Sequence, residues 1–140
     1  MAPPHSLPSI QAEAHPFCFV CSAANPMGLA LHCAPQPDGT VTATFQGNPT
    51  LEGYAGLLHG GVVAALLDGA MTNALLARGL PALTVELKVR YHASVTAAEE
   101  VSVRAWLVAD SHDLYQLRSE LTQDGEVRAS ATGKFLLRPE

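Results

Sequence analysis

Residues 57–79 read LLHGGVVAALLDGAMTNALLARG, and the fold turns on this run. From Gly60 to about Arg78 apolar residues occupy nearly every side of a helical projection, and a helix apolar all round is buried all round. Gly79 and Pro81 supply its stop. Two features depart from a plain core helix. It opens on His59-Gly60-Gly61, and it carries a carboxylate, Asp68, in its middle. An ionised carboxylate in an apolar helix costs several kcal/mol unless it is paired or hydrogen-bonded.

On either side of this helix the period changes from helical to twofold. Upstream, GLALHCAP (28–35) and GTVTATFQG (39–47) read as two strands joined by the turn-forming PQPDG. Downstream, four segments alternate as strands: ALTVELKVRYHAS (82–94), EEVSVRAWLVAD (99–110), DLYQLRSELTQ (113–123) and EVRASATGKFLLR (126–138). Asp124-Gly125 is a two-residue hairpin signal. In the first of the four, strict alternation puts Leu83, Val85, Leu87, Val89 and Tyr91 on a dry face and Thr84, Glu86, Lys88, Arg90 and His92 on a wetter one. The order predicts an α+β domain, an antiparallel sheet of about six strands wrapped around one long central helix.

A chain of 140 residues with 48% hydrophobic and 15% charged content has ample material for one packed core. Residues 1–16, MAPPHSLPSIQAEAHP, lack the basic start and apolar stretch of a secretory signal and read as a loosely ordered arm. Residues 17–140 then form the single domain. No apolar run reaches the ~18 residues of a membrane span, so no membrane partner and a cytoplasmic location are expected. A net charge of −5 with eight scattered Lys and Arg offers no basic stripe for a phosphate backbone, so nucleic acid is not expected as a partner. Cys18, Cys21 and Cys33 are an odd number, two of them three apart, which speaks against a secreted disulfide framework.

Glycines at a helix start leave backbone N–H groups uncovered, and with the positive end of the helix dipole these suit an oxyanion. Gly60 and Gly61 could instead serve only a tight helix start, and Asp68 could be a structural group bonded to Thr72 or to backbone. Seven residues from Gly61 to Asp68 are about 10.5 Å of helical rise, whereas one reacting group needs both its attacking group and its oxyanion donors within about 3 Å. One helix cannot serve one substrate with both. Two antiparallel copies across a two-fold axis can, so a homodimer is expected, with a homotetramer as a further step of assembly.

HGGVVAALLD, preceded by EGYAG and followed sixteen residues after Asp68 by Thr84 in ALTVEL, resembles the hotdog-fold acyl-CoA thioesterases related to the phenylacetate-pathway enzyme. CFVCSAANPMGLAL is similar to the C-x-x-C-x-x-x-N-P-x-G-L opening of many bacterial members. The resemblance implies a hotdog fold and hydrolysis of an acyl-CoA thioester, with no cofactor. It implies Asp68 as nucleophile or general base, and Gly61, with Gly60 as second candidate, as backbone donors to the carbonyl oxygen. His59 would orient that end of the site, and Thr84 would place the attacking water or hold Asp68. Many relatives carry Asn or Gln six residues before the histidine, where this chain has Gly53, which leaves the polarising role of that side chain unfilled. Coenzyme A would enter as part of the substrate, its phosphates meeting Lys88, Arg90 or Arg104.

The chemistry suits these residue types in its own right. A thioester carbonyl is already activated, so a carboxylate and an oxyanion site suffice without a triad or a metal. His15, Cys18, Cys21, His32 and Cys33 have the composition of a zinc site. Adjacent His32 and Cys33 point to opposite faces if they lie in a strand, so no metal is expected and the cysteines read as small buried apolar residues. The competing functions are an acyl-thioester hydratase or dehydratase, whose signatures are not visible, and a non-catalytic acyl-CoA binding module, in which a buried carboxylate would have no task.

Overall fold

The run that opens on His59 forms a 17-residue helix, Gly60–Leu76. The computed structural model describes residues 6–139, in the chain order α1 (Leu7–Ala14), β1 (Ala34–Pro35), β2 (Val41–Gln46), α2 (Gly60–Leu76), β3 (Ala82–Tyr91), β4 (Glu100–Ser111), β5 (Leu114–Gln123) and β6 (Glu126–Leu137), with a 3₁₀ turn at Pro49–Leu51 before α2. Gly79 stops α2 at φ 76°. There Leu80 N–H reaches the Leu75 carbonyl at 3.0 Å and Gly79 N–H the Leu76 carbonyl at 2.9 Å, the 6→1 and 5→2 pair that a left-handed glycine allows.

The six strands make one antiparallel sheet in the order β1-β2-β4-β5-β6-β3, wrapped around α2 as the hotdog resemblance implied. From Leu66 to Leu76 the helix is buried except at Asp68, which is half-buried. Its side chains meet the inward positions of the sheet, among them Val41, Val103, Ala105, Leu117, Leu121, Ala129 and Phe135. The Asp124-Gly125 turn has the two positive φ values, 53° and 75°, that a type I′ hairpin requires. His112 and Asp113, φ 51° and 67°, close the β4–β5 hairpin in the same way without a glycine.

Three expectations change. The first strand shrinks to Ala34–Pro35, because the N–H groups of Leu29 and Leu31 bond back to the carbonyls of Phe19 and Val20 at 2.8 and 2.7 Å and Pro35 has none to give. Within the stretch read as a loosely ordered arm, Leu7–Ala14 instead form α1, whose Leu7 is buried. Gln11 Nε2 donates to Asn73 Oδ1 on α2 at 2.7 Å, so apolar burial and a polar tie hold it. The expectation for residues 1–5 lies outside the described residues.

The third change is in β3. Its pairing with β6 shifts between Thr84 and Glu86, a β-bulge in which Val85 is the extra residue. A bulge reverses the alternation beyond it. Thr84 pairs with buried Phe135, and Leu87, Val89 and Tyr91 pair with Gly133, Ala131 and Ala129. Thr84 therefore shares the helix-facing side with Leu87, Val89 and Tyr91, while Leu83, Glu86, Lys88 and Arg90 face outward. Nor is the face dry in the single chain, where Leu83 is 55% and Val85 53% exposed. β3 is the edge of the sheet.

Candidate active site

His59 caps α2. With φ −59° and ψ 136° it stands outside the helix, and its Nδ1 accepts the Gly61 N–H at 2.8 Å. A side chain on Gly61 would begin 3.1 Å from that nitrogen, so glycine is what lets the imidazole fold back over the helix end. The His59 carbonyl accepts from Val62 and Val63 at 2.9 and 3.1 Å. Of the first-turn donors only the Gly60 N–H lacks a partner among the described residues. The first-choice donor, Gly61, is thus occupied by the capping histidine, and Gly60 is the one left open at the positive end of the helix.

Tyr91, to which the sequence assigned no task, joins this end. Its Oη donates to the Gly60 carbonyl at 2.6 Å, fixing the peptide that begins the helix. A tyrosine on an inward face needs a partner for its hydroxyl, and that was the available signal once the parity of β3 is known. A cavity of about 520 Å³ opens here, lined by Gly53, Tyr54, Leu57, His59, Gly60 and Tyr91 among others. Gly53, where many relatives of the resembled family have an amide, lies against His59: a Cβ there would be 3.3 Å from the ring carbon Cδ2.

Asp68 sits two turns along. Thr84 Oγ1 donates to Asp68 Oδ1 at 2.8 Å, a contact available because the bulge at Val85 turns Thr84 inward. No cation pairs with Asp68 among the described residues. Burial pushes its carboxyl above the usual range, and the Thr84 hydrogen bond draws it part of the way back. A carboxylate with raised proton affinity and a free second oxygen is suited to accept a proton. From Gly60 to Asp68 the helix rises about 12 Å, so within one chain the open donor and the carboxylate are separate half-sites.

The basic residues do not converge on either half. Lys88 and Arg90 project from the outward face of β3. Arg104 is exposed on β4, its guanidinium 4.8 Å from the centre of the Trp106 ring, and two strands, β5 and β6, separate it from β3. His32 is exposed and Cys33 buried, the opposite orientations that were expected. Cys18 and Cys21, however, are only half-buried, and His15, Cys18 and Cys21 come together, their ligand atoms within 4.8 Å of one another. Burial and then the Cys18 thiol push the Cys21 thiol up to about 11. Burial and then the neighbouring Cys21 and Cys18 push Cys33 up to about 12.

Against known proteins, a family model described as the thioesterase superfamily matches residues 55–128, just over half of the chain and the part that holds both half-sites. Human acyl-coenzyme A thioesterase 13 is 31% identical over 83 residues, which are 58% of this chain and 55% of that protein. The chain spans about half the length of the curated relatives it matches. Among solved structures, a thioesterase superfamily protein superposes with a TM-score of 0.81 at 26% identity, over 86% of this chain and 63% of the other. A mutant form of the phenylacetic acid degradation protein PaaI from Thermus thermophilus superposes with a TM-score of 0.71 at 26% identity, over 79% of this chain and 95% of that one.

Proposed function

The chain belongs to the thioesterase superfamily, and from that premise we propose that it hydrolyses an acyl-CoA thioester to the free acid and coenzyme A. The observation that carries this reading is the pairing of a half-buried, proton-avid Asp68 with the Thr84 hydroxyl, two turns along a helix whose first turn presents an open N–H. Asp68 acts as the base. Its free oxygen takes a proton from water, and the hydroxide adds to the thioester carbonyl carbon. The carbonyl oxygen becomes an oxyanion held by the Gly60 N–H and the helix dipole. Collapse breaks the C–S bond, and the departing thiolate receives the proton from Asp68. No metal or cofactor is required by this sequence of steps.

Thr84 holds Asp68 in place, His59 and Tyr91 set the conformation of the first helical turn, and the cavity beside Gly60 receives the thioester carbonyl. Because about 12 Å of helix separates the two halves, each site combines Asp68 and Thr84 of one subunit with His59 and Gly60 of a second copy. The exposed edge of β3, with Leu83, Val85 and Leu87 uncovered, is the surface along which that homodimer forms, since a row of unpaired backbone groups beside apolar side chains invites a second strand. No helix among the described residues is long and apolar enough to cross a membrane.

Asp68→Asn tests the reading. Released coenzyme A, measured across acyl-CoAs of graded chain length and aryl-CoAs, is expected to fall by roughly 10²-fold or more while the fold is kept. The variant should also be the more stable protein at neutral pH. A carboxyl held above its ordinary range favours the protonated form in the folded state, so its ionisation costs stability as pH rises, and Asn escapes that cost. The stability difference should shrink on acidification. Wild-type turnover in folded Asp68→Asn would overturn the assignment, and a wild-type protein inert on every thioester would overturn the function.

A further inference from the structure

Hydrolysis as derived makes no use of His15, Cys18 or Cys21, yet these side chains are built around one point. The loop after α1 brings His15 Nδ1 to 3.7 Å from Cys21 Sγ. Ligands about 2.1 and 2.3 Å from one tetrahedral zinc ion stand about 3.6 Å apart, so this pair already has the required span. Cys18 Sγ accepts the backbone N–H groups of Val20 and Cys21 at 3.3 and 3.5 Å. Two N–H donors aimed at one sulfur fix its direction. All three ligand atoms lie within 4.8 Å of one another in a half-buried setting.

We propose that His15 Nδ1, Cys18 Sγ and Cys21 Sγ bind one zinc-class divalent ion, with water or another ligand completing a tetrahedron. Both thiol protons leave to solvent as the ion binds, and two thiolates neutralise its charge. The ion closes the loop that lies against the middle of α2. Val20, between the two cysteines, packs on Gly69, where an added Cβ would be 2.4 Å from Val20 Cγ1. Gln11 donates to Asn73, and Asn73 Nδ2 donates to the Gly69 carbonyl at 2.8 Å. The site thus clamps the N-terminal segment over the residue next to Asp68. Cys33, buried below, is not among the three converging ligands.

The test uses the whole reduced protein, stripped of metal and titrated with cobalt(II) and then zinc(II). One cobalt per chain is expected, with thiolate-to-cobalt charge-transfer absorption and tetrahedral d–d bands that zinc abolishes, and zinc should raise the unfolding temperature. Cys18→Ser and Cys21→Ser should each lose the charge-transfer band or cut it to about half, and His15→Gln should weaken affinity at least tenfold. Cys33→Ser should leave the spectrum unchanged. If the wild-type protein with both thiols free gives no thiolate–cobalt band, the site does not exist. A band that survives in Cys18→Ser and Cys21→Ser but vanishes in Cys33→Ser would equally overturn this ligand set.

Discussion

β3 and β5 are both ten-residue strands with alternating apolar positions, yet they have opposite fates. β5 lies between β4 and β6, and its Leu117, Ser119, Leu121 and Gln123 are all buried. β3 lies at the edge, and only Ala82 of its ten residues is buried. The same pattern serves a core in one strand and a surface in the other. What distinguishes β3 is the bulge at Val85, which sends Thr84 to Asp68, and the tyrosine at its end, which holds Gly60. β5 belongs to the core, whereas β3 carries Thr84 and Tyr91 to the candidate site and leaves its outer edge open.

The largest effect that would break this contrast is a charge placed in each strand. Leu121→Glu buries an unpaired carboxylate and should abolish cooperative unfolding. Even the milder Leu121→Ala should cost about 2–5 kcal/mol in denaturant titration. Val85→Glu should leave a cooperatively folded monomer with hydrolysis reduced by about 10²-fold, because only the shared site is lost. A folded Leu121→Glu, or a fully active Val85→Glu monomer, would show that the two strands do not divide their labour in this way.

Smaller effects sharpen the role of β3 residue by residue. Thr84→Ala should lower kcat/KM by about tenfold. It should also move the acidic limb of the pH profile upward, because the Thr84 bond is what lowers the carboxyl against the rise caused by burial. The base must be ionised, so activity falls as pH drops through its pKa, and losing the bond makes that fall begin at higher pH. An unmoved limb would make Thr84 a spectator. Tyr91→Phe removes one hydrogen bond to the Gly60 carbonyl and should slow hydrolysis only a few-fold, by an amount equivalent to about 0.5–1.5 kcal/mol.

Much of this was legible from sequence because it rested on local chemistry. α2 followed from its apolar surface and Gly79 and the last hairpin from Asp124-Gly125, and His59-Gly60-Gly61 and Asp68 marked where to look for a candidate site. What was not legible depended on contacts between distant parts of the chain. Period 2 cannot announce the extra residue at Val85, so alternation put Thr84 beside Lys88, and only the family resemblance linked it to Asp68. The preference of Gly60 over Gly61 as donor required knowing that the His59 ring folds back on the Gly61 amide. The convergence of His15 on Cys18 and Cys21 required the loop to reverse against α2, which His32 and Cys33, considered together in a strand, did not suggest.

In the proposed mechanism, the Asp68 and Gly60 that serve one thioester come from different subunits. Gly60→Pro deletes the open N–H while leaving a residue tolerated at the first helical position, and the extended ψ of 136° at His59 is what a following proline requires. A Cβ at Gly60 meets Tyr91 no closer than 3.5 Å. Alone, this variant and Asp68→Asn should each be reduced by about 10²-fold or more. Activity after verified subunit exchange between the two is the decisive measurement, since each mixed dimer contains one site free of both substitutions and one carrying both. Recovery approaching half of wild-type activity per mixed dimer is expected. Persistent inactivity in a mixture with demonstrated exchange would rule out a site shared between subunits.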